Sequence, residues 1–282
     1  MAEMPDFDPR LTPARPDLAA KHLKGKVKAE RYVDGMLQEV VVGQAPLRKA
    51  PSHDAPLLTE VLRGERVTIY DTDDEGWAWG QLQDDSNVGF LPAAALLAAD
   101  AAPTHRVTAL RTFVFPEASI KRPPADALPL GAKIAILRTQ DEFAVSASGF
   151  LPARHLAPLA NHEPDFVAVA ERFAGVPYLW GGKTSLGLDC SGLVQVALAA
   201  CGNACPRDSD MQEKALGKPA NLAGLQRGDL LFWKGHVAIA LGRNSMIHAN
   251  AFHMAVAIEP VAEALARIGA AGSQVTSVRR LK

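Results

Sequence analysis

What this sequence has little of narrows it first. Three cysteines in 282 residues are too few, and odd in number, for a disulfide framework, so free thiols in a reducing compartment are expected. Neither sign of charge is in excess. Thirty Lys and Arg stand against 31 Asp and Glu, for a formal net charge of −1, which argues against nucleic acid as a partner. The basic cluster Lys21, Lys24, Lys26, Lys28 and Arg31 is diluted by Glu30 and Asp34 and reads as a solvated face. No run approaches the ~18 apolar residues of a membrane span. The start Met-Ala-Glu-Met-Pro-Asp has neither the basic opening nor the apolar stretch of a secretory signal. The expectation is a cytoplasmic protein with no membrane partner. Phosphate-loop and dinucleotide fingerprints are missing. His248 with His253, or Cys201 with Cys205, come without the further ligands a metal requires, so no metal and no cofactor are expected.

What is present suits a folded chain of two or three domains, with 48% hydrophobic residues. Residues 1–36 carry Pro5, Pro9, Pro13 and Pro16 and read as an N-terminal arm, extended at its start, with a short ordered piece over Val27 to Leu37. From residue 37 to 98 short strands alternate with turns, the pattern of a small barrel. The pattern then recurs over 104–158. Ala45-Pro46-Leu47-Arg48 is echoed by Thr108-Ala109-Leu110-Arg111, and Gly64-Glu65-Arg66-Val67 by Gly131-Ala132-Lys133-Ile134. Gly89-Phe90-Leu91-Pro92-Ala93 returns unchanged 60 positions later as Gly149-Phe150-Leu151-Pro152-Ala153, which marks an internal duplication with residues 98–104 as its linker. Helical signals return at Glu163, so 163–282 reads as an α+β domain with helices on one side of an antiparallel sheet.

The chemistry gathers in that last domain. Cys190 follows a glycine-rich turn and precedes Leu193, Val194, Ala197 and Leu198, which share a buried helix face, so the cysteine sits near a helix N-terminus. There the helix dipole favours a thiolate. Gly228–Trp233, His236–Leu241 and Ser245–Ala249 read as successive strands of a meander, with a helix over Val261–Ile268 and a last strand near Val275–Val278. A cysteine nucleophile needs a base, and neighbouring strands can bring His236 and His248 face to face. For an isolated cysteine an inert core position is the plainer reading, and Asp189 has helix capping as its own.

Five motifs in order carry a resemblance: Tyr178-x-Trp180-Gly181-Gly182, Asp189-Cys190-Ser191-Gly192-Leu193-Val194, Gly228-Asp229-Leu230-x-Phe232, His236-Val237-Ala238-Ile239 and Ile247-His248-Ala249. Together they resemble the NlpC family of bacterial cell-wall cysteine peptidases, and the preceding repeats resemble bacterial SH3-like domains. The implied architecture is two small all-β SH3-like barrels followed by an α+β papain-like catalytic domain. The resemblance implies catalytic Cys190, His236 and His248. It also implies substrate-binding Tyr178 and Trp180, and Asp189, Ser191, Asp208 and Ser209 holding the free amine of a murein peptide. In such relatives the first barrel lends an acidic residue and a tyrosine, where this chain has Leu58 and Asn87.

The expected activity is cleavage of the γ-D-glutamyl-diamino acid bond in muropeptides with a free N-terminal L-Ala, a peptidoglycan-recycling reaction. Two alternatives stand beside it. One is a papain-like amidase or acyltransferase acting on another amide, and the other is a non-catalytic wall-binding protein built around its SH3-like repeats.

Overall fold

The computed structural model describes residues 7–98 and 101–281. The first six residues of the expected arm, two residues of the expected linker and the final lysine lie outside the described residues. The chain divides into two compact units. One ends at Pro158, and the other begins at Leu159 and also takes in Thr108–Arg111.

In the first unit, seven strands form one sheet: β1 (Met36–Val40), β2 (Gln44–Arg48), β3 (Leu57–Leu62), β4 (Arg66–Thr72), β5 (Trp77–Leu82), β6 (Val88–Pro92) and β7 (Leu96–Ala98). Their spatial order is β3-β2-β6-β5-β4-β1-β7. Alternate residues point inward, as the period of a half-buried strand requires, so that Val40, Ala45, Leu47, Val61, Val67, Ile69, Ala78, Leu82 and Leu91 share one core.

The duplicated part repeats the ending of the first. In each copy the Gly-Phe-Leu-Pro strand runs into a 3₁₀ turn, Ala93–Ala95 or Ala153–His155, and then a short strand, Leu96–Ala98 or Leu156–Pro158. The second copy is divided into separate two- and three-stranded pieces.

The expected extended arm is folded onto the first barrel from residue 8 onward. Leu18, Ala19 and Ala20 are fully buried, and Leu18 packs with Trp79 and Val88. The Arg15 guanidinium lies 4.5 Å from the Trp79 ring centroid and pairs with Asp17 at 2.8 Å and Asp71 at 2.6 Å. Proline content rules out a helix here but leaves these apolar and cationic residues able to dock.

In the second unit six strands make one sheet: β8 (Lys218–Ala220), β9 (Asp229–Trp233), β10 (His236–Ala240), β11 (Ser245–Asn250), β12 (Ala255–Pro260) and β13 (Val275–Arg280), in the order β8-β13-β9-β10-β11-β12. All the pairings are antiparallel. Four helices accompany the sheet: α1 (Phe166–Glu171), α2 (Cys190–Ala200), α3 (Ser209–Ala215) and α4 (Val261–Ala270). α4 covers the face that carries Ala238, Ala240 and Met246, through Val261 and Ala264. β12, whose alternation of apolar residues is weak, brings a further charged residue, Glu259, to that face. No helix among the described residues is long and apolar enough to cross a membrane.

Candidate active site

α2 starts where it does because Asp189 caps it. The Asp189 backbone is extended (φ −97°, ψ 177°) and its Oδ1 accepts the Gly192 N–H at 2.7 Å, satisfying one of the donors a helix start leaves unpaired. Two glycines make the approach possible. Gly181 has φ +78°, in the left-handed region, and its N–H donates to Asp189 Oδ2 at 2.8 Å. At Gly192 a Cβ would lie 2.2 Å from the Gly182 carbonyl oxygen, so the helix sits against the turn only without a side chain there.

Cys190 is thereby the first residue of α2, with 8% of its surface exposed. Burial, then the Asp189 charge, push its thiol up to about 11, while the backbone N–H groups of Val237 and Ser191 at the sulfur work in the opposite sense. The expectation of a thiolate held by the helix start is therefore corrected. Desolvation, which opposes any buried charge, outweighs the dipole, and the resting thiol keeps its proton. Tyr178 lies close by. Its hydroxyl is pushed to about 12 by burial and by the charges of Cys190 and Asp189, so it remains an O–H donor. Trp180, two residues on from Tyr178, is 68% exposed.

The Val237 contact places the sulfur one residue along from His236. The pairing Ile239↔Ile247 sets the register of β10 and β11. Extended along the ladder, it makes His236 and His248 diagonal neighbours on one face, within reach of each other's rings. His236 Nε2 and His248 Nδ1 are 2.8 Å apart. Glu259 continues the same face, because β12 pairs His248 with Ala257 and Glu259 lies two residues further on. Its Oε1 is 2.6 Å from His248 Nε2 and also accepts from Arg267 Nη2 of α4. Burial, the neighbouring His248 and the Arg267 charge lower His236 to about 3, against an opposing pull from Glu259. Burial, Arg267 and His253 lower His248 to about 3. Both rings rest neutral.

Beneath the helix start lies Arg207, fully buried. Its Nη1 and Nη2 meet Asp189 Oδ1 and Oδ2 at 2.9 and 2.7 Å, and Nη1 donates to Ser191 Oγ at 2.8 Å. The Asp189 carboxylate, expected to meet a substrate amine, is thus occupied by a guanidinium, two backbone N–H groups and the Ser191 hydroxyl. Asp208 and Ser209 head α3, half-buried and buried respectively. Gln212 of α3 donates to the Ser191 carbonyl at 2.9 Å and so ties α3 to the start of α2. Arg207, Glu259 and Arg267 escape sequence reasoning because no local pattern distinguishes them. Arg207 merely precedes Asp208, and Glu259 ends a strand whose alternation is weak.

A cysteine heading a helix against an antiparallel sheet that carries hydrogen-bonded histidines is the arrangement of a papain-like cysteine hydrolase. Residues 175–267 match the NlpC/P60 family, and residues 47–96 match the bacterial dipeptidyl-peptidase Sh3 domain. The chain carries an NlpC/P60 domain, of that cysteine-peptidase family, behind a bacterial SH3 domain. It is 36% identical over 120 residues to dipeptidyl-peptidase 6 of Lysinibacillus sphaericus, covering 40% of this chain and 44% of that one. It is 34% identical over 142 residues to a gamma-D-glutamyl-L-lysine dipeptidyl-peptidase of Bacillus cereus, covering 48% and 40%. The chain spans less than half the length of these curated relatives. A solved NlpC/P60 family protein from Bacillus cereus superposes with a TM-score of 0.73 at 21% identity, over 86% of this chain and 99% of that one. That likeness establishes the fold.

Proposed function

We propose that this protein hydrolyses the γ-D-glutamyl-diamino acid bond of peptidoglycan-derived peptides whose N-terminal L-Ala is free. The observation that carries the reading is the buried Cys190 thiol at the head of α2, touched by the backbone N–H of Val237, the residue that follows His236, whose ring is bonded to that of His248. The names of the Bacillus relatives, gamma-D-glutamyl-L-lysine dipeptidyl-peptidases, support the choice of bond. The proposed setting is the cytoplasm, where a recycling enzyme would act and where thiols are kept reduced.

His236 takes the thiol proton as sulfur attacks the γ-glutamyl carbonyl, and the Cys190 N–H with the Tyr178 hydroxyl faces the developing oxyanion. The C–N bond breaks as the imidazolium returns that proton to the departing amine. Water, deprotonated by His236, then opens the thioester, and the thiol regains its proton. The substrate ammonium is assigned to Asp208 and Ser209 at the head of α3, beside the Asp189 and Ser191 side chains that Arg207 holds.

The test is mass spectrometry of products from L-Ala-γ-D-Glu-diaminopimelate, from the corresponding lysine peptide and from their N-acetylated forms. Release of L-Ala-D-Glu from the free peptides alone, abolished in Cys190→Ala, is expected. Equal cleavage of the acetylated peptides removes the amine requirement. An inert wild-type enzyme removes the activity.

A further inference from the structure

Two histidines hydrogen-bonded to each other do not by themselves define a base. The shared proton can sit on His236 Nε2, which leaves Nδ1 of that ring bare, or on His248 Nδ1, which puts the remaining proton of a neutral His236 on its own Nδ1. Only the first arrangement leaves His236 able to take the proton of the Cys190 thiol, and the heavy-atom distance of 2.8 Å is the same for both.

We propose that Glu259, held in place by Arg267, is the positioning residue that selects the productive arrangement. The inference rests on the Cys190–His236–His248 reading given above. A carboxylate has lone pairs and no proton to give, so the 2.6 Å contact requires the hydrogen on His248 Nε2. A neutral His248 then has a bare Nδ1, which accepts from His236 Nε2. His236 Nδ1 is left unprotonated as a result. One carboxylate at the far end of the chain of bonds sets the proton at the near end.

Arg267 supplies the second half of the device. An uncompensated carboxylate beside His248 would favour a second proton on that ring, and an imidazolium donates from both nitrogens. It would turn His236 Nε2 into an acceptor and drive the His236 proton onto Nδ1, the wrong place. The Arg267 guanidinium shares Glu259 Oε1 with His248 and lies 4.2 Å from the Phe252 ring centroid. It cancels the charge while leaving the acceptor. The ionisable groups facing His248 are His236 from β10, Glu259 from β12, Arg267 from α4 and His253 from the turn after β11. Of these, Glu259 is the one anion. Burial and the Arg267 charge both act to keep His248 neutral.

The experiment follows the histidine tautomers by long-range ¹H–¹⁵N correlation NMR in ¹⁵N-histidine-labelled full-length protein, alongside pH profiles of kcat/KM on L-Ala-γ-D-Glu-diaminopimelate. In the wild type, His236 is expected as the Nε2–H tautomer with Nδ1 bare. Glu259→Gln can turn its amide N–H toward His248 and is expected to mix or invert the tautomers, with kcat down at least about tenfold and KM within about threefold. Arg267→Gln is expected to move the acidic limb of the profile up by about one pH unit, and Arg267→Lys to restore it. A wild-type His236 protonated on Nδ1 overturns the proposal. So do folded Glu259→Gln and Arg267→Gln variants that leave tautomers and profile unchanged. Because the NMR readout needs no turnover, it decides the role of Glu259 even where the peptide is not cleaved, and that second result would count only against the proposed activity.

Discussion

Arg207 grips Asp189 with both terminal nitrogens, at 2.9 and 2.7 Å, beneath the first turn of the helix that carries Cys190. The same guanidinium reaches the Ser191 hydroxyl at 2.8 Å and the Gly182 carbonyl at 3.3 Å. It joins the glycine turn to the helix start, so the position of the sulfur depends on an ion pair as well as on packing.

Removing one partner of a buried pair leaves an uncompensated charge, at a cost of about 3–5 kcal/mol. Arg207→Met is therefore expected to lower the urea midpoint strongly. The double variant Arg207→Met/Asp189→Asn is expected to recover part of the loss. A cycle of urea denaturation curves with no coupling between the two positions would count against this account.

At Gly192 any side chain meets the Gly182 carbonyl oxygen, 2.2 Å from the Cβ it would add. Backbone must move, and overpacking of this kind costs about 1–3 kcal/mol. Gly192→Ala is expected to reduce both stability and peptide cleavage. The check is a thermal melt beside an activity assay, and unchanged values in both refute the close approach.

The Cys190 thiol, pushed up to about 11, is expected to react slowly with iodoacetamide at pH 7 and faster as the pH rises through 9 and 10. Alkylation at Cys190, followed by peptide mass spectrometry, separates this from an ion pair with His236. An ion pair would keep the rate high and flat down to acid pH.

His248 is lowered from 6.5 to about 3 in the folded protein. As pH falls below about 6.5 the unfolded chain takes up a proton that the folded chain refuses. Stability is therefore unaffected above that pH and declines toward pH 3, by about 1.4 kcal/mol per pH unit for one such group. Denaturation curves at pH 7, 5.5 and 4.5 should show this slope, and His248→Asn should flatten it by close to one proton. A variant with the wild-type slope excludes His248 as its source.

Much of the last domain was legible in its residues. The apolar runs around Leu230 and Val237, cut by Lys234-Gly235, define two antiparallel strands, and the observed register pairs Trp233 with His236 across that turn. The helix start at Cys190 was equally plain, because a glycine turn followed by an apolar face has one reading. The N-terminal segment was harder. Its prolines exclude a helix but do not say that Leu18 would find Trp79. The strand Ala255–Pro260 went unseen because Ile258 is exposed and Glu259 buried, against the usual alternation.

The sequence by itself determined the strand-rich first part, the recurrence of Gly-Phe-Leu-Pro-Ala, the position of Cys190 at a helix start and the candidacy of His236 and His248, since these depend on spacing and turn chemistry over a few residues. Only the tertiary structure decided that Arg207 would occupy Asp189, that Glu259 and Arg267 would stand behind His248, and that the thiol would be desolvated enough to stay protonated. Each of those outcomes depends on which distant side chains share a buried volume. In such a volume burial and the nearest charges outweigh what any residue prefers on its own.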